Sequence, residues 1–294
     1  MSIVYLNGKF LPIEDAYVPV LDRGFVFGDG VYEVIPVYGG HLFRLAQHLE
    51  RLAQSLAGVR IAAPLSCDQW RDILVGLIKD NGGGDQSLYL QITRGVAPRD
   101  HAFPKNTTPT VFAMSTPLSP IPTQMLEQGV VAVTLDDIRW KNCHIKSINL
   151  LPNVLLRQEA IDQGALEAIL VRDGNITEGA ASNIFMVKNG VILTPPKGPQ
   201  LLPGITRDLI LELAAQNGIS YRECNITQAE FVAADELWLS SSTREVLPIT
   251  LLNGQPVGIG KPGELWRRMF ALYQGFKQNI RQGLDGPKKA IETS

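Results

Sequence analysis

Five two-residue turn signals constrain the fold of this chain more than any other feature of its sequence. Each turn lies between two short apolar runs, and the five pairs are Asn7-Gly8, Gly39-Gly40, Asp173-Gly174, Asn189-Gly190 and Asn253-Gly254. Only residues that tolerate a positive φ fit the tight turns of β-hairpins. Because so much strand pairing is local, the sequence predicts mostly antiparallel sheets rather than a doubly wound parallel sheet.

Helices are predicted between the hairpins, which makes the expected fold class α+β, with sheets flanked by helices. The clearest helix is predicted from Arg44 to Ala57, where leucines recur at helical spacing at Leu45, Leu49, Leu52 and Leu56. A second stripe of this helix could be solvated or could face a cleft, and it consists of Arg44, His48, Arg51 and Ser55. Further helices are predicted over 67–79, 153–163, 207–216 and 263–278.

The length of 294 residues predicts two domains, because it exceeds what one hydrophobic core of ordinary size accommodates. A Pro-rich passage from Pro104 to Thr123 contains the expected boundary. We therefore predict a smaller N-terminal domain over residues 1–118, a linker over 119–122, a larger C-terminal domain over 123–283 and a disordered tail over 284–294. Two domains imply a cleft between them.

Composition excludes several classes of function. Charged residues at 19%, hydrophobic residues at 45% and a mean hydropathy near zero are typical of a soluble globular protein without membrane spans. A net charge of −2 without a long basic run provides no electrostatic basis for nucleic-acid binding. The first residues do not resemble a secretion signal, so we expect a cytoplasmic protein. Cys67, Cys143 and Cys224 form no CxxC pair, which disfavours a zinc site or a disulfide framework.

Two ionisable residues are candidates for chemistry. Lys146 lies in "WKNCHIKSINLLPN" within a short apolar run that is predicted to be a strand, although most lysines are solvated surface charges. Glu178 ends a predicted hairpin strand in "NITEGAASNIF", where a carboxylate is usually a turn or cap residue. The small residues that follow Glu178 indicate that something, such as a flat ring, approaches the backbone closely.

Two further segments could bind a phosphate. Gly204 and Thr206 directly precede an amphipathic helix in "LLPGITRD", which is typical of an ordinary helix cap and also of a phosphate site at a helix N-terminus. Hydroxyl groups end an apolar strand in "WLSSSTREV" and offer further donors. Neither segment is specific by itself.

Five long motifs in register carry a family resemblance over about residues 3–280. They are "DRGFVFGDGVYEV", "TRGVAPRDHAFP", "DDIRWKNCHIKSINLLPNV", "TEGAASN" and "LLPGITRD". In their order and separations they closely resemble the fold-type IV pyridoxal phosphate enzymes, and within these the D-amino acid aminotransferases.

The resemblance implies a cofactor site for pyridoxal 5'-phosphate. Lys146 would form the Schiff base with the cofactor and then move the proton at the substrate Cα, while Glu178 would keep the pyridine nitrogen protonated. An apolar setting and a cation such as Arg139 would favour the neutral amine. Leu202 would pack on the ring. The residues implied for the phosphate are Arg51, Ile205, Thr206 and either Ser241 or Ser242. His48 would either support this site or be a surface histidine.

The resemblance also implies a substrate site. Tyr32, Arg99 and His101 match the carboxylate trap of D-amino acid aminotransferases, in which the loop with the arginine and histidine comes from the neighbouring subunit. We therefore expect a homodimer with active sites at the subunit interface. The expected reaction is ping-pong transamination from a D-amino acid such as D-alanine, D-glutamate or D-aspartate to 2-oxoglutarate or pyruvate. Ala180 and Ala181 replace residues that often carry hydroxyls, and Pro36 follows a pocket strand, so the side-chain range of the substrate stays open.

Three alternatives stand beside this interpretation. Branched-chain L-amino acid aminotransferases of the same fold would be expected to have "YGxxVFEG" where this chain has "FGDGVYEV". Aminodeoxychorismate lyase would make pyruvate without an amino acceptor. A catalytically silent ligand-binding or scaffold protein would have no chemical need for Lys146 and Glu178.

Overall fold

Two β-sheets form the frame of the protein in a computed structural model that describes residues 2–284. The first sheet has six strands, all antiparallel, in the order β2-β1-β6-β5-β3-β4. Their bounds are β1 Ile3–Leu6, β2 Lys9–Pro12, β3 Gly30–Tyr38, β4 His41–Leu42, β5 Gln86–Thr93 and β6 Thr110–Pro117. The predicted tail lies outside the described residues from position 285 onward.

The second sheet has nine strands in the order β12-β11-β10-β13-β14-β7-β8-β9, with β15 paired to β14. It is mixed, because β7 runs parallel to both β14 and β8, and β12 runs parallel to β11. The bounds are β7 Val130–Asp136, β8 Glu167–Arg172, β9 Asn175–Gly179, β10 Asn183–Lys188, β11 Val191–Thr194, β12 Tyr221–Glu223, β13 Glu236–Ser241, β14 Glu245–Leu252 and β15 Gln255–Pro256.

Eight α-helices lie within the described residues, and none of these is long and apolar enough to cross a membrane. Their bounds are α1 Arg23–Phe27, α2 Leu45–Gly58, α3 Cys67–Asp80, α4 Thr123–Gln128, α5 Leu151–Asp162, α6 Ile205–Gln216, α7 Gln228–Val232 and α8 Glu264–Arg281. The five longer helices correspond to the five predicted ones. α2 begins one residue later than predicted because Arg44 has a left-handed backbone. α5 begins earlier because its first turn tolerates Pro152.

All five predicted turns join neighbouring antiparallel strands, which confirms the hairpin prediction. The parallel pairs arise differently. The connection from β7 to β8 contains α5, and the connection from β11 to β12 contains α6. Parallel neighbours need such long crossovers, which leave no turn signal in the sequence. The sequence pattern therefore showed the hairpins and missed the parallel pairing at the centre of the second sheet.

The helices cover the two sheets in separate groups. α2 and α3 contribute leucines and isoleucines to a core on the first sheet, α6 does the same on the second sheet, and α8 adds mainly aromatic side chains there. The second stripe of α2 is also buried, including His48, Arg51 and Ser55, so it faces inward rather than solvent. α8 additionally contacts the first sheet, because Tyr38 and Phe43 share the core that contains this helix. The division into domains at 119–122 stays a prediction.

Adjacent residues of α3 provide a test of this packing. Leu74 is fully buried in the core of the first sheet, whereas Val75 is 50% exposed. We expect Leu74→Ala to lower the free energy of unfolding by about 2–5 kcal/mol, because it removes buried methyl groups and leaves a cavity. The control Val75→Ala should change it by less than about 1 kcal/mol. Urea denaturation followed by tryptophan fluorescence measures both, and equal effects would contradict the packing described.

Candidate active site

A cavity of about 500 Å³ brings together residues from both sheets and the segments between them. Nine of the eleven predicted site residues line it, and they are Tyr32, Arg51, Lys146, Glu178, Leu202, Ile205, Thr206, Ser241 and Ser242. Segments that are far apart in sequence therefore meet in one place. The two that do not line it are Arg99 and His101.

Lys146 lies in an irregular segment, so the prediction of a strand around it was wrong. The segment meets β3 at one isolated bridge, between Val31 and Ser147, because the chain turns before and after it. The backbone of Lys146 is nevertheless fixed, since its N–H donates to Ser55 Oγ at 3.1 Å and its carbonyl accepts from the Tyr32 N–H at 2.9 Å. Its Nζ lies 4.1 Å from the centroid of the Tyr32 ring. A fixed backbone thus presents a half-buried amine to the cavity.

Glu178 is the penultimate residue of β9 and is 4% exposed. One carboxylate oxygen accepts from Arg139 Nη1 at 2.5 Å, and the other accepts from Asn183 Nδ2 and the Leu202 N–H, each at 3.1 Å. Burial raises the pKa of Glu178 to about 7, against the opposing effect of the Arg139 guanidinium. A carboxyl group in this range can hold or release a proton near neutral pH.

Arg139, the cation predicted near Lys146, lines the same cavity and is paired with carboxylates. Its guanidinium donates to both oxygens of Asp137 at 2.9 Å, in addition to its bond with Glu178. Two carboxylates therefore balance its charge. Its structural role is to hold Glu178 in place at the cavity wall.

The start of α6 forms a cradle of hydrogen-bond donors. The backbone N–H groups of Ile205 and Thr206 lie in the first turn, where a helix has no internal partners for them. Gly204 precedes them, and a Cβ there would lie 1.9 Å from Asn183 Oδ1, so the close approach requires glycine. The hydroxyl of Ser240 also lines the cavity and is buried without a partner among the described residues. Such a set of donors suits a phosphate.

Glu33 does not line the cavity but holds Arg51, which does, and the sequence did not predict this support. Arg51 Nε and Nη2 donate to its two oxygens at 2.7 and 2.8 Å, while Arg51 Nη1 donates to the Pro203 carbonyl at 3.0 Å. His48 Nδ1 lies 2.9 Å from Glu33 Oε2, so His48 is buried support for Arg51 and not a surface residue. Burial by itself would raise the pKa of Glu33, but the Arg51 guanidinium holds it well below its usual range. The sequence gives no sign of this role, because Glu33 points to the opposite face of β3 from Tyr32.

The small residues after Glu178 have a local explanation. A Cβ on Gly179 would lie 2.2 Å from Ser182 Oγ and 3.2 Å from two side-chain carbons of Glu167. The chain itself therefore requires glycine at this position. Ala180 and Ala181 do line the cavity, and Asn153 Nδ2 fixes the segment by donating to the Ala180 carbonyl at 2.8 Å.

Arg99 and His101 lie in an exposed loop away from the cavity of their own chain. Both rest on the ring of Phe27. The Arg99 Cζ lies 5.3 Å from the centroid of that ring, and the His101 ring centroid lies 5.4 Å from it. The structure of one chain therefore unites Tyr32 with Lys146 but does not unite Tyr32 with the other two residues predicted for the carboxylate trap.

Comparison with known proteins agrees with this geometry. Residues 30–252 match the family described as amino-transferase class IV. The chain is 43% identical to a D-alanine aminotransferase of Bacillus licheniformis, over 92% of this chain and 95% of that one. It is 41% identical to a D-alanine aminotransferase of Staphylococcus epidermidis, over 96% and 99%. The structure matches a branched-chain amino acid aminotransferase of Escherichia coli with a TM-score of 0.90 and 29% identity, over 98% and 97% of the chains. The chain belongs to the class IV aminotransferases.

Proposed function

We propose that this protein is a D-amino acid transaminase that uses pyridoxal 5'-phosphate. It moves the amino group of a D-amino acid such as D-alanine or D-glutamate to a 2-oxo acid such as 2-oxoglutarate or pyruvate in a ping-pong reaction. The observation that carries the proposal is that the amine of Lys146, the carboxyl group of Glu178 and the donor cradle of α6 all face one cavity. The D-alanine aminotransferases that resemble the chain at about 40% identity support it.

The cavity fits the cofactor chemically. Phosphate oxygens would accept from the amides of Ile205 and Thr206, from Arg51 and from hydroxyls at the end of β13, of which Ser241 and Ser242 line the cavity. Leu202 offers an apolar surface for a flat ring. When bound, pyridoxal phosphate supplies a carbonyl that condenses with amines and a ring that stabilises negative charge at the substrate Cα.

The residues of the chain perform the proton transfers. Lys146 is positioned by its backbone bonds to Ser55 and Tyr32, and its amine takes the proton from the substrate Cα. Glu178 would keep the ring nitrogen protonated by placing a buried carboxylate beside it. Arg139 and Asn183 keep the Glu178 carboxyl in one orientation, so that it does not need to reorganise during turnover.

Substrate binding requires a second copy of the chain in this proposal. Arg99 and His101 do not line the cavity that contains Tyr32, although the three together form the proposed carboxylate trap. The exposed apolar side chains of Tyr17, Val20 and Phe25 lie in the segments that lead into and form α1, next to the loop. Burial of such a surface against a partner is favourable. We therefore infer a homodimer in which this loop completes the active site of the other subunit.

A panel of D- and L-amino acids tests the proposed function directly. Purified enzyme should change its cofactor absorbance on mixing with D-alanine, D-glutamate or D-aspartate and should recover it on addition of 2-oxoglutarate. L-Leucine and L-valine should produce little change. The reverse preference would favour a branched-chain aminotransferase, which the 29% identical structural neighbour exemplifies. A colourless protein that cannot be reconstituted would favour a silent homologue, and pyruvate release without an acceptor would favour a lyase.

Replacement of Lys146 tests the proposed catalytic amine. We expect Lys146→Ala to lower kcat by at least about a thousandfold, because the variant lacks the group that transfers the proton. Lys141 lies in the same segment and is exposed, so Lys141→Ala should retain activity. Borohydride reduction of native enzyme followed by peptide mapping should find the cofactor on Lys146, and a label elsewhere would contradict the assignment.

Replacement of Glu178 tests the role of the buried carboxyl group. We expect Glu178→Gln to slow proton removal from the substrate by about a hundredfold, because an amide does not hold the ring nitrogen protonated. The cofactor should stay bound. Stopped-flow absorbance with a D-amino acid measures the rate, and the exposed Glu159→Gln is the control. An unchanged rate in the Glu178 variant would refute this role.

Replacement of Arg99 tests the carboxylate trap. We expect Arg99→Ala to raise the KM for D-amino acids by roughly 10–100-fold, since it removes charge-assisted hydrogen bonds to the carboxylate. The absorbance of the bound cofactor should not change. Lys105→Ala removes another exposed cation from the same part of the chain and should leave the KM near the wild-type value. Equal KM values for the two variants would place the trap elsewhere.

A further inference from the structure

The loop that carries Arg99 and His101 is exposed, but its position is fixed by buried residues beneath it. Both side chains rest on one aromatic ring, that of Phe27, which is half-buried at the end of α1. No role in the reaction follows for Phe27 from the site described above. Its contacts are with the two residues of the proposed carboxylate trap. The inference about Phe27 therefore rests on the proposed function.

Phe27 contacts three cationic or ionisable side chains at once. The guanidinium carbons of Arg23 and Arg99 lie 4.7 and 5.3 Å from its ring centroid. The His101 ring lies 5.4 Å away at an angle of 46°. A guanidinium is attracted to an aromatic ring, and the ring also restricts the rotamers of the side chains that lie against it. One ring can therefore set the direction of both trap residues.

The ring itself is anchored through the short helix α1. Asp22 is fully buried at the N-cap, where Oδ1 accepts from the Gly24 N–H at 2.8 Å and Oδ2 accepts from Thr110 Oγ1 at 2.6 Å. A Cβ on Gly24 would lie 2.3 Å from Thr93 Cγ2, so the helix packs as closely on β5 as glycine permits. Phe27 thus belongs to a helix that packs on β5 and is hydrogen-bonded to β6.

Arg23 connects the same helix to the backbone of the loop. It is buried, and its Nε donates to Asp29 Oδ2 at 2.8 Å while its Nη1 donates to the Asp100 carbonyl at 2.6 Å. Asp100 lies between the two trap residues. Arg94 also binds both oxygens of Asp29, at 2.8 and 3.0 Å, so the anchoring carboxylate is held from two sides. The loop is therefore fixed at the peptide between Arg99 and His101.

The end of the loop has a separate attachment. The Arg94 guanidinium carbon lies 3.7 Å from the centroid of Phe103, and that of Arg60 lies 4.6 Å from it. This contact holds the backbone after His101. The two trap side chains themselves contact Phe27.

We propose that Phe27 is a positioning residue of the carboxylate trap. Its ring, fixed by α1 and by Arg23, orients Arg99 and His101 before the substrate arrives. Holding these side chains in advance lowers the entropic cost of ordering them around the carboxylate. Loss of the ring should weaken substrate binding without altering the cofactor site, which lies in a different part of the chain.

The test compares Phe27→Leu with Phe27→Tyr in full-length enzyme carrying its cofactor. We expect Phe27→Leu to raise the KM for D-alanine about tenfold, because both trap side chains lose their support. Its kcat and the absorbance spectrum of the bound cofactor should stay close to wild type. Phe27→Tyr keeps the ring and should restore the wild-type KM. Phe10 packs against Tyr5 in the same sheet and contacts neither trap residue, so Phe10→Leu is the matched control.

A double-mutant cycle separates positioning from a general structural effect. If the ring acts through the trap, Phe27→Leu should raise the KM by a clearly smaller factor in an Arg99→Ala background, where only His101 still depends on the ring. An equal increase in both backgrounds would overturn the inference, as would an unchanged KM in Phe27→Leu. If Phe27→Leu does not fold, Arg23→Lys carries the test, because lysine cannot reach both Asp29 and the Asp100 carbonyl. It should then raise the KM in the same way, and a wild-type KM would overturn the inference.

Failure of the proposed function has a different signature. It would appear as a wild-type enzyme that does not transaminate D-amino acids, or as an Arg99→Ala variant with an unchanged KM. Failure of the inference alone would leave both of those results as expected and would change only the behaviour of the Phe27 variants.

Discussion

The buried ion pair of Glu33 and Arg51 is the interaction on which the cavity depends. Glu33 lies on β3, Arg51 lies on α2, and Arg51 also binds the Pro203 carbonyl just before α6. One guanidinium thus connects the first sheet to the donor cradle of the second. A buried carboxylate without a partner would be strongly unfavourable, so the pair fixes β3 and α2 relative to each other. Tyr32 and the backbone of Lys146 are positioned by the same strand.

Local patterns in the sequence predicted the parts of the fold that depend on local physics. The turn pairs predicted five hairpins because positive φ is a property of single residues, and the leucine stripe of α2 predicted a helix with a buried face. The parallel pairing of β7 with β8 and β14 was not predictable in this way, since it depends on crossovers through distant segments. Helices α1, α4 and α7 have only five or six residues, too few to show a period. The apolar run around Lys146 looked like a strand, but it meets β3 at a single bridge.

The candidate site shows the same limit at the level of side chains. Motifs in register predicted Lys146, Glu178 and the proposed phosphate donors, and all of them line one cavity. The residues that hold these side chains in place were not predictable from motifs. Nothing in the sequence relates Glu33 to Arg51, and nothing in it pairs the cation Arg139 with Asp137. Residues that support a site are defined by contacts between segments, whereas residues that act in it belong to recognisable motifs.

The position of α8 has a consequence for the order in which the polypeptide acquires its structure. The last helix packs on Tyr38 and Phe43 near the beginning of the chain, and both are buried in the core that it completes. A ribosome releases the N-terminal residues first. Part of the apolar surface of Tyr38 and Phe43 therefore stays uncovered until residues 264–281 have been synthesised. The first half of this enzyme cannot reach its final packing as an independent unit. A chain that stops before α8 would expose an aromatic surface that is prone to aggregation.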